Sequence, residues 1–201
     1  MLFVWYKVSF DEKWSHDSAV CETVYFFVEF VCIFPWKCVS LNNQNRGKIM
    51  DGILRKLPIG IQTFEKLREG DYLYVDKTAL VWRIASTETP YFLSRPRRFG
   101  KSLLLSTFEA YFEGKKNLFE GLAIADMEKE WKTYPVFHLD LNAEKYDSPQ
   151  ALVEILSRQL TQWELKYGKG EDEETLSGRF AGVIRRACEQ SGRGVVVLVD
   201  E

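Results

Sequence analysis

The stretch Tyr91-Phe92-Leu93-Ser94-Arg95-Pro96-Arg97-Arg98-Phe99-Gly100-Lys101-Ser102 constrains this chain more than any other part of it. A short apolar, strand-like run leads into a basic loop that ends Gly-Lys-Ser, and an amphipathic segment, Leu103 to Phe112, follows directly. Strand, tight loop and helix in that order turn backbone N–H groups, a helix N-terminus and one lysine toward a common point. That is the layout of a phosphate-binding loop. The usual GxxxxGK[ST] spacing places a first glycine where this chain has Arg95. A bare Gly-Lys-[Ser/Thr] arises by chance in roughly one in ten chains of this length, so the loop needs a second, independent feature.

That feature stands at the other end of the chain, in Gly194-Val195-Val196-Val197-Leu198-Val199-Asp200-Glu201. Five aliphatic residues without polar alternation predict a strand buried on both faces, as in a parallel sheet. The run ends in two carboxylates, which a strand of an open α/β sheet would present at the carboxyl edge where such sheets bind ligands. An acidic residue there can hold the magnesium that bridges nucleotide phosphates, directly or through water. The two features together predict nucleotide binding by a strand–loop–helix and a later acidic strand end.

Composition bounds the rest. A chain of 201 residues is long enough for one medium domain with a real core. The net charge of −2 carries no bulk nucleic-acid signature, so the basic residues at 95–98 are local. His16 and His138 lie far apart and make no ligand pattern. Cys21, Cys32, Cys38 and Cys188 lack CxxC spacing, which points to reduced thiols and a cytoplasmic protein.

Residues 1–49 read differently from 50–201. They carry eleven of the 29 aromatics and three of the four cysteines, with neither helical nor strand period sustained. The apolar stretch Val24 to Trp36 is interrupted by Glu29 and falls short of the about 20 residues a spanning helix needs, so no membrane is expected. It begins late, after Asp11, Glu12 and Asp17, unlike a secretory signal. Met50 stands just before orderly patterning starts, and residues 1–49 are expected to be translated upstream sequence.

From Met50 onward the pattern is α/β. Helices are predicted over Phe64 to Gly70 and Lys77 to Ile84, the second capped by Asp76. Strands are predicted at Tyr72–Val75, Tyr91–Leu93 and Val136–Leu141. Ser148-Pro149 is a helix start, and Leu152, Ile155, Leu156, Leu160 and Trp163 fall on one face before Gly168. A polar, acidic loop precedes a second amphipathic helix marked by Leu176, Phe180, Val183, Ile184 and Ala187. Alternating strands and helices predict a mainly parallel sheet with helices on both faces.

Residues 57–121, with LPIGIQTFEKLREGDYLYVDKT and YFLSRPRRFGKSLLLSTFEAYFEGKKNLFEGL, closely resemble the bacterial AAA-ATPase-like family, and the terminal VVVLVDE resembles its Walker B strand. The resemblance covers about 50–201. RPRRFGKS, with arginine for the first glycine, is that family's own variant of the Walker A loop. The resemblance implies a P-loop NTPase-type three-layer sandwich, ATP and Mg2+ as ligands, and a following domain similar to PD-(D/E)XK nucleases. Through that further domain it implies a nucleic-acid partner, and it leaves a homo-oligomer open.

Residue roles follow position by position. Gly100 lets backbone approach the phosphates, and the N–H groups of Phe99, Gly100, Lys101, Ser102 and Leu103 would turn inward. Lys101 would reach the β/γ-phosphates and the Ser102 hydroxyl would ligate magnesium. Asp200 would hold magnesium through water, and Glu201 would orient or deprotonate the attacking water. Arg97 and Arg98 could contact phosphate or a nucleic-acid partner, or stand as solvated loop arginines. Asp76-Lys77-Thr78 matches a signature of the family and reads either as a helix cap or as positioning the nucleotide. Asp140 closes its strand as a turn residue would, and Trp82, Trp131 and Trp163 read as core aromatics.

In ATPases with an Asp-Glu Walker B, the strand between the P-loop strand and the Walker B strand comes later in sequence. On that order the sheet is expected to be incomplete, with an open interior slot, and the chain to be poorly folded alone or a fragment. Three functional readings stay open: an ATPase driving a nuclease-like domain, a nucleotide-dependent switch with little turnover, and an inactive gene fragment.

Overall fold

In the computed structural model the described residues are 55–87, 90–94, 99–141, 148–171 and 173–200, together with the strand at 3–8 as backbone. The segments expected around Met50, along with Arg95–Arg98 and Glu201, lie outside them.

Four strands form one sheet in the order β2-β1-β4-β3. They are β1 (Phe3–Val8), β2 (Tyr91–Phe92), β3 (Val136–Asp140) and β4 (Val195–Asp200). β3 and β4 pair in parallel, from Val136 opposite Val196 to Asp140 opposite Asp200. β1 runs antiparallel to both β4 and β2, so the other three strands share one direction. Every residue of β4 is buried, as its unbroken Val-Val-Val-Leu-Val run requires of a strand covered on both faces.

The alternation along β3 and β4 divides two helical layers. On one side Val196 and Leu198 pack with Val136 against α1 (Phe64–Glu69), α2 (Thr78–Ala85), α3 (Lys101–Phe112), a 3-10 turn at Lys116–Phe119 and α4 (Ala123–Met127). α3 contributes Leu105, Phe108 and Phe112, each at most 2% exposed and spaced to share one helix face. Burying such a side chain is worth about 1.5–3 kcal/mol. On the other side Val195, Val197, Val199, Phe137 and Leu139 meet α5 (Pro149–Tyr167) and α6 (Leu176–Ser191). The sheet with helices on both faces is therefore the arrangement the alternating pattern predicted.

Local chemistry sets the helix ends. Ser148 accepts from the Ala151 N–H at 3.2 Å, with Pro149 beginning α5. Thr175 does the same for Gly178 at the start of α6 (3.0 Å), and Gly192 ends that helix with φ +64°. α5 and α6 are joined by polar contacts at their edge. Arg179 donates to both oxygens of Glu164 at 2.7 Å and also to Ser157 and Thr161. The guanidinium holds the Glu164 carboxyl below the usual carboxylate range, although burial opposes it.

Two expectations are corrected. The strand predicted over Tyr72–Val75 shrinks to one bridge between Tyr72 and Lys56, with Leu73 N–H donating to the Lys56 carbonyl. Its inward residues do pack, Tyr74 meeting Phe64 edge-on at 5.2 Å. Leu73 and Val75 are exposed, and among the described residues no other bridge extends this pairing. The interior slot expected to stand open is filled: β1 lies between β2 and β4, pairing with β4 over six positions, Phe3 opposite Asp200 to Val8 opposite Val195. Its sequence, Phe-Val-Trp-Tyr-Lys-Val, is composed almost wholly of residues that favour strands.

An interior strand satisfies backbone groups on both neighbours, and each buried group left unpaired costs about 1–3 kcal/mol. A chain beginning at Met50 should therefore melt lower than the 201-residue chain, by on the order of 10 °C, and less cooperatively. Circular dichroism melts of the two would check this, and coincident curves would remove β1 from the sheet.

Candidate functional site at the N-terminus of α3

Phe99 is 61% exposed, and Gly100 then adopts a left-handed conformation, φ +74° and ψ 29°. That backbone strains any residue with a Cβ, and glycine takes it freely. A Cβ at Gly100 would meet nothing within 4 Å, so the glycine is required by backbone conformation and its outer side is open. The turn starts α3 abruptly: Leu104 N–H donates to the Gly100 carbonyl at 3.0 Å, the first bond of the helix. The N–H groups of Lys101, Ser102 and Leu103 therefore precede the helical ladder. Partial positive charge collects where those donors stand, which favours an anion. Lys101 occupies the first helical position with only 7% of its surface exposed, and Ser102 follows half-buried.

The sheet brings carboxylates to the same layer of the molecule. Residues of β3 and β4 that share a face with Val196 and Leu198 look toward α3, and Asp200 and Asp140 fall on that face by alternation. Asp140 and Asp200 are direct neighbours in the parallel register, each ending its strand. Asp200 is 7% exposed, and its carbonyl accepts from Leu141 N–H at 2.9 Å. Asp140, read from sequence as a turn residue, thus stands beside the acidic strand end.

His138, two residues before Asp140, was given no role by sequence. Its Nδ1 donates to Glu109 Oε2 of α3 at 3.1 Å. Its Nε2 is buried, with no hydrogen-bond partner among the described residues. Burial pushes the imidazole toward lower pKa, but Glu109, with Asp140 and Asp200 beyond it, outweighs that and holds the pKa above the ordinary histidine value. The only sequence signal was a polar residue at an otherwise buried position of a short alternating strand.

Asp76-Lys77-Thr78 resolves into a structural clamp. Asp76 Oδ1 accepts from the Thr78 N–H (2.8 Å) and hydroxyl (2.7 Å), while Oδ2 accepts from Ala123 N–H at 2.8 Å. The buried Thr78 hydroxyl accepts in turn from Ile124 N–H at 3.1 Å. The motif thereby starts α2 and ties it to the start of α4. The three tryptophans lie where core residues belong: Trp82 and Trp131 pack beside the cluster around α3, and Trp163 meets Phe137 edge-on at 4.7 Å.

A polar cleft lined by Thr161, Glu164, Lys169, Glu173 and Arg179 lies by α5 and α6, on the side of the sheet opposite α3. Among the described residues no cluster of histidine, cysteine and carboxylate is arranged to hold a metal by itself. No helix among them is long and apolar enough to cross a membrane. Of the residues predicted for the site, Phe99, Gly100, Lys101, Ser102, Leu103 and Asp200 are placed as above, whereas Arg97, Arg98 and Glu201 lie outside the described residues.

The family model described as "Predicted AAA-ATPase" matches residues 58–201. The chain belongs to the AAA-ATPase-like family. An uncharacterized protein in the vnfD 5' region of Azotobacter chroococcum mcd 1 is 43% identical over 148 residues, which is 73% of this chain and 29% of that relative. The chain thus spans about three tenths of the length of the curated relative it matches. No solved structure matches it.

The Glu109–His138 pair makes stability depend on pH. An unfolded imidazole titrates near 6.5, and the folded value is higher. The stabilisation is therefore complete below about pH 6.5 and is lost as pH rises through the folded value. The melting temperature of the unaltered chain should fall relative to His138→Gln between about pH 6 and 8, read by calorimetry across that range. Parallel pH profiles for the two would contradict the assigned pair.

Proposed function

We propose that this chain is the ATP-binding part of a magnesium-dependent ATPase, with the nucleotide phosphates held at the N-terminus of α3. The observation that carries the reading is the left-handed Gly100 placing Lys101 and Ser102 at the first two positions of α3, in a chain of the AAA-ATPase-like family. The donor set suits a polyphosphate: consecutive helix-start N–H groups, one lysine and one hydroxyl. It suits magnesium as well, since that ion takes oxygen ligands and keeps several waters, and Ser102 and Asp200 offer one hydroxyl and one carboxylate.

In this reading Lys101 would bind the β- and γ-phosphates and offset the charge that grows on them during transfer. Ser102 and Asp200 would hold magnesium, Asp200 through water. An ion held there would supply positive charge against the negative charge that develops on the phosphates. Glu201, next in sequence, would orient or deprotonate the attacking water. Arg97 and Arg98, in the same basic loop, would add phosphate contacts. The low exposure of Lys101 favours a strong contact, because charge interactions weaken less where water is excluded. We further propose that hydrolysis serves a nuclease-like domain elsewhere in a longer protein.

Fluorescent ATP titration and phosphate release test this together. Lys101→Ala should weaken ATP binding by about 10- to 100-fold, or roughly 1.4–2.7 kcal/mol. Glu201→Gln should leave binding intact and abolish turnover. Binding without phosphate release in the unaltered chain would favour a nucleotide-dependent switch, and unchanged affinity in Lys101→Ala would overturn the site.

A further inference from the structure

We propose that His138 is a positioning residue for this nucleotide site: by holding Glu109 it fixes how far α3 is advanced along the sheet, and so sets Lys101 and Ser102 against the strand end at Asp200. The inference rests on the ATP-binding reading above and adds to it a residue outside the loop and the acidic strand.

The tie is polar in apolar surroundings. Around it α3 meets the sheet through Leu105, Phe108, Phe112, Val196 and Leu198, all fully or nearly fully buried. Apolar packing is non-directional, so by itself it resists a small slide of the helix weakly. A hydrogen bond has a narrow range of distance and angle, and Nδ1 to Oε2 at 3.1 Å fixes one.

Its placement gives it leverage. Glu109 stands eight residues beyond Lys101, about 12 Å along a rigid helix. His138 is in register with Leu198, two residues before Asp140 and Asp200, or about 6.6 Å from their strand ends. A slide of α3 at Glu109 is transmitted undiminished to Lys101 and Ser102, because the helix moves as a rod. The distance between phosphate donors and magnesium carboxylate is then set at a point that touches neither.

The remaining ring nitrogen supports a role other than stability. His138 Nε2 is buried with no hydrogen-bond partner among the described residues. Apolar residues at both positions would avoid that penalty and pack the same interface. The charged groups facing the ring are Glu109 from α3, Asp140 from its own strand and Asp200 from β4.

The test is ATP affinity of the 201-residue chain measured with and without Mg2+, using a fluorescent ATP analogue. The variants are His138→Gln, His138→Leu and the double variant His138→Leu with Glu109→Met. Affinity without Mg2+ depends on the start of α3 and should stay within about two-fold throughout. The gain in affinity on adding Mg2+ should fall about tenfold in His138→Leu and in the double variant, because misplacement by an ångström is enough for that. His138→Gln, which keeps a donor for Glu109, should recover most of the gain. The double variant should melt no lower than the unaltered chain, since both polar partners leave together. A merely structural pair would restore the Mg2+ gain with the fold. A full Mg2+ gain in the double variant, with ATP still bound, overturns this proposal alone. No ATP binding by the unaltered chain overturns the ATP reading and this proposal with it.

Discussion

The burial of β4 is the constraint on which the rest depends. Five consecutive aliphatic residues before Asp200 have to be covered on both faces and paired on both edges. The two faces attract the two helical layers, with Val196 and Leu198 serving one and Val195, Val197 and Val199 the other. The two edges take β3 in parallel and β1 antiparallel. Once β4 is fixed, its last residue is fixed too, and that residue is the buried Asp200.

From β4 the construction of the site is short. α3 packs on the Val196–Leu198 face, and its start is sharpened by a glycine whose backbone a side chain would strain. The helix start supplies donors and the strand end supplies a carboxylate. Neither belongs to the apolar core, yet both are placed by it. The Glu109–His138 contact is a directional link between side chains of these two layers, and it lies within the interface.

Much of this was legible in the sequence because it is local. Gly-Lys-Ser after a short strand gave the start of α3, Ser148-Pro149 gave the start of α5, and an unbroken aliphatic run gave β4. What failed was non-local. Tyr72–Val75 has strand composition, but a strand also needs neighbours, and among the described residues only Lys56 pairs there. β1 was hidden because pairing with β4 across about 190 residues leaves no periodic trace. The neighbourhood of Asp140 and Asp200 depends on a register set by the sheet, and the Glu109–His138 contact on how a helix lies across it. Asp76 went the other way: a motif open to a ligand role is accounted for by four hydrogen bonds, two that start α2 and two that tie it to α4.

The central claim is that the start of α3 and the end of β4 form one nucleotide site. Amide hydrogen exchange, followed residue by residue with and without saturating MgATP, tests it most directly. Exchange should slow at Lys101, Ser102 and Leu103 and at the Asp200 end of β4, with little change around Arg179 and Glu164. Protection centred on the α5–α6 cleft, with exchange at the start of α3 unaltered, would contradict it.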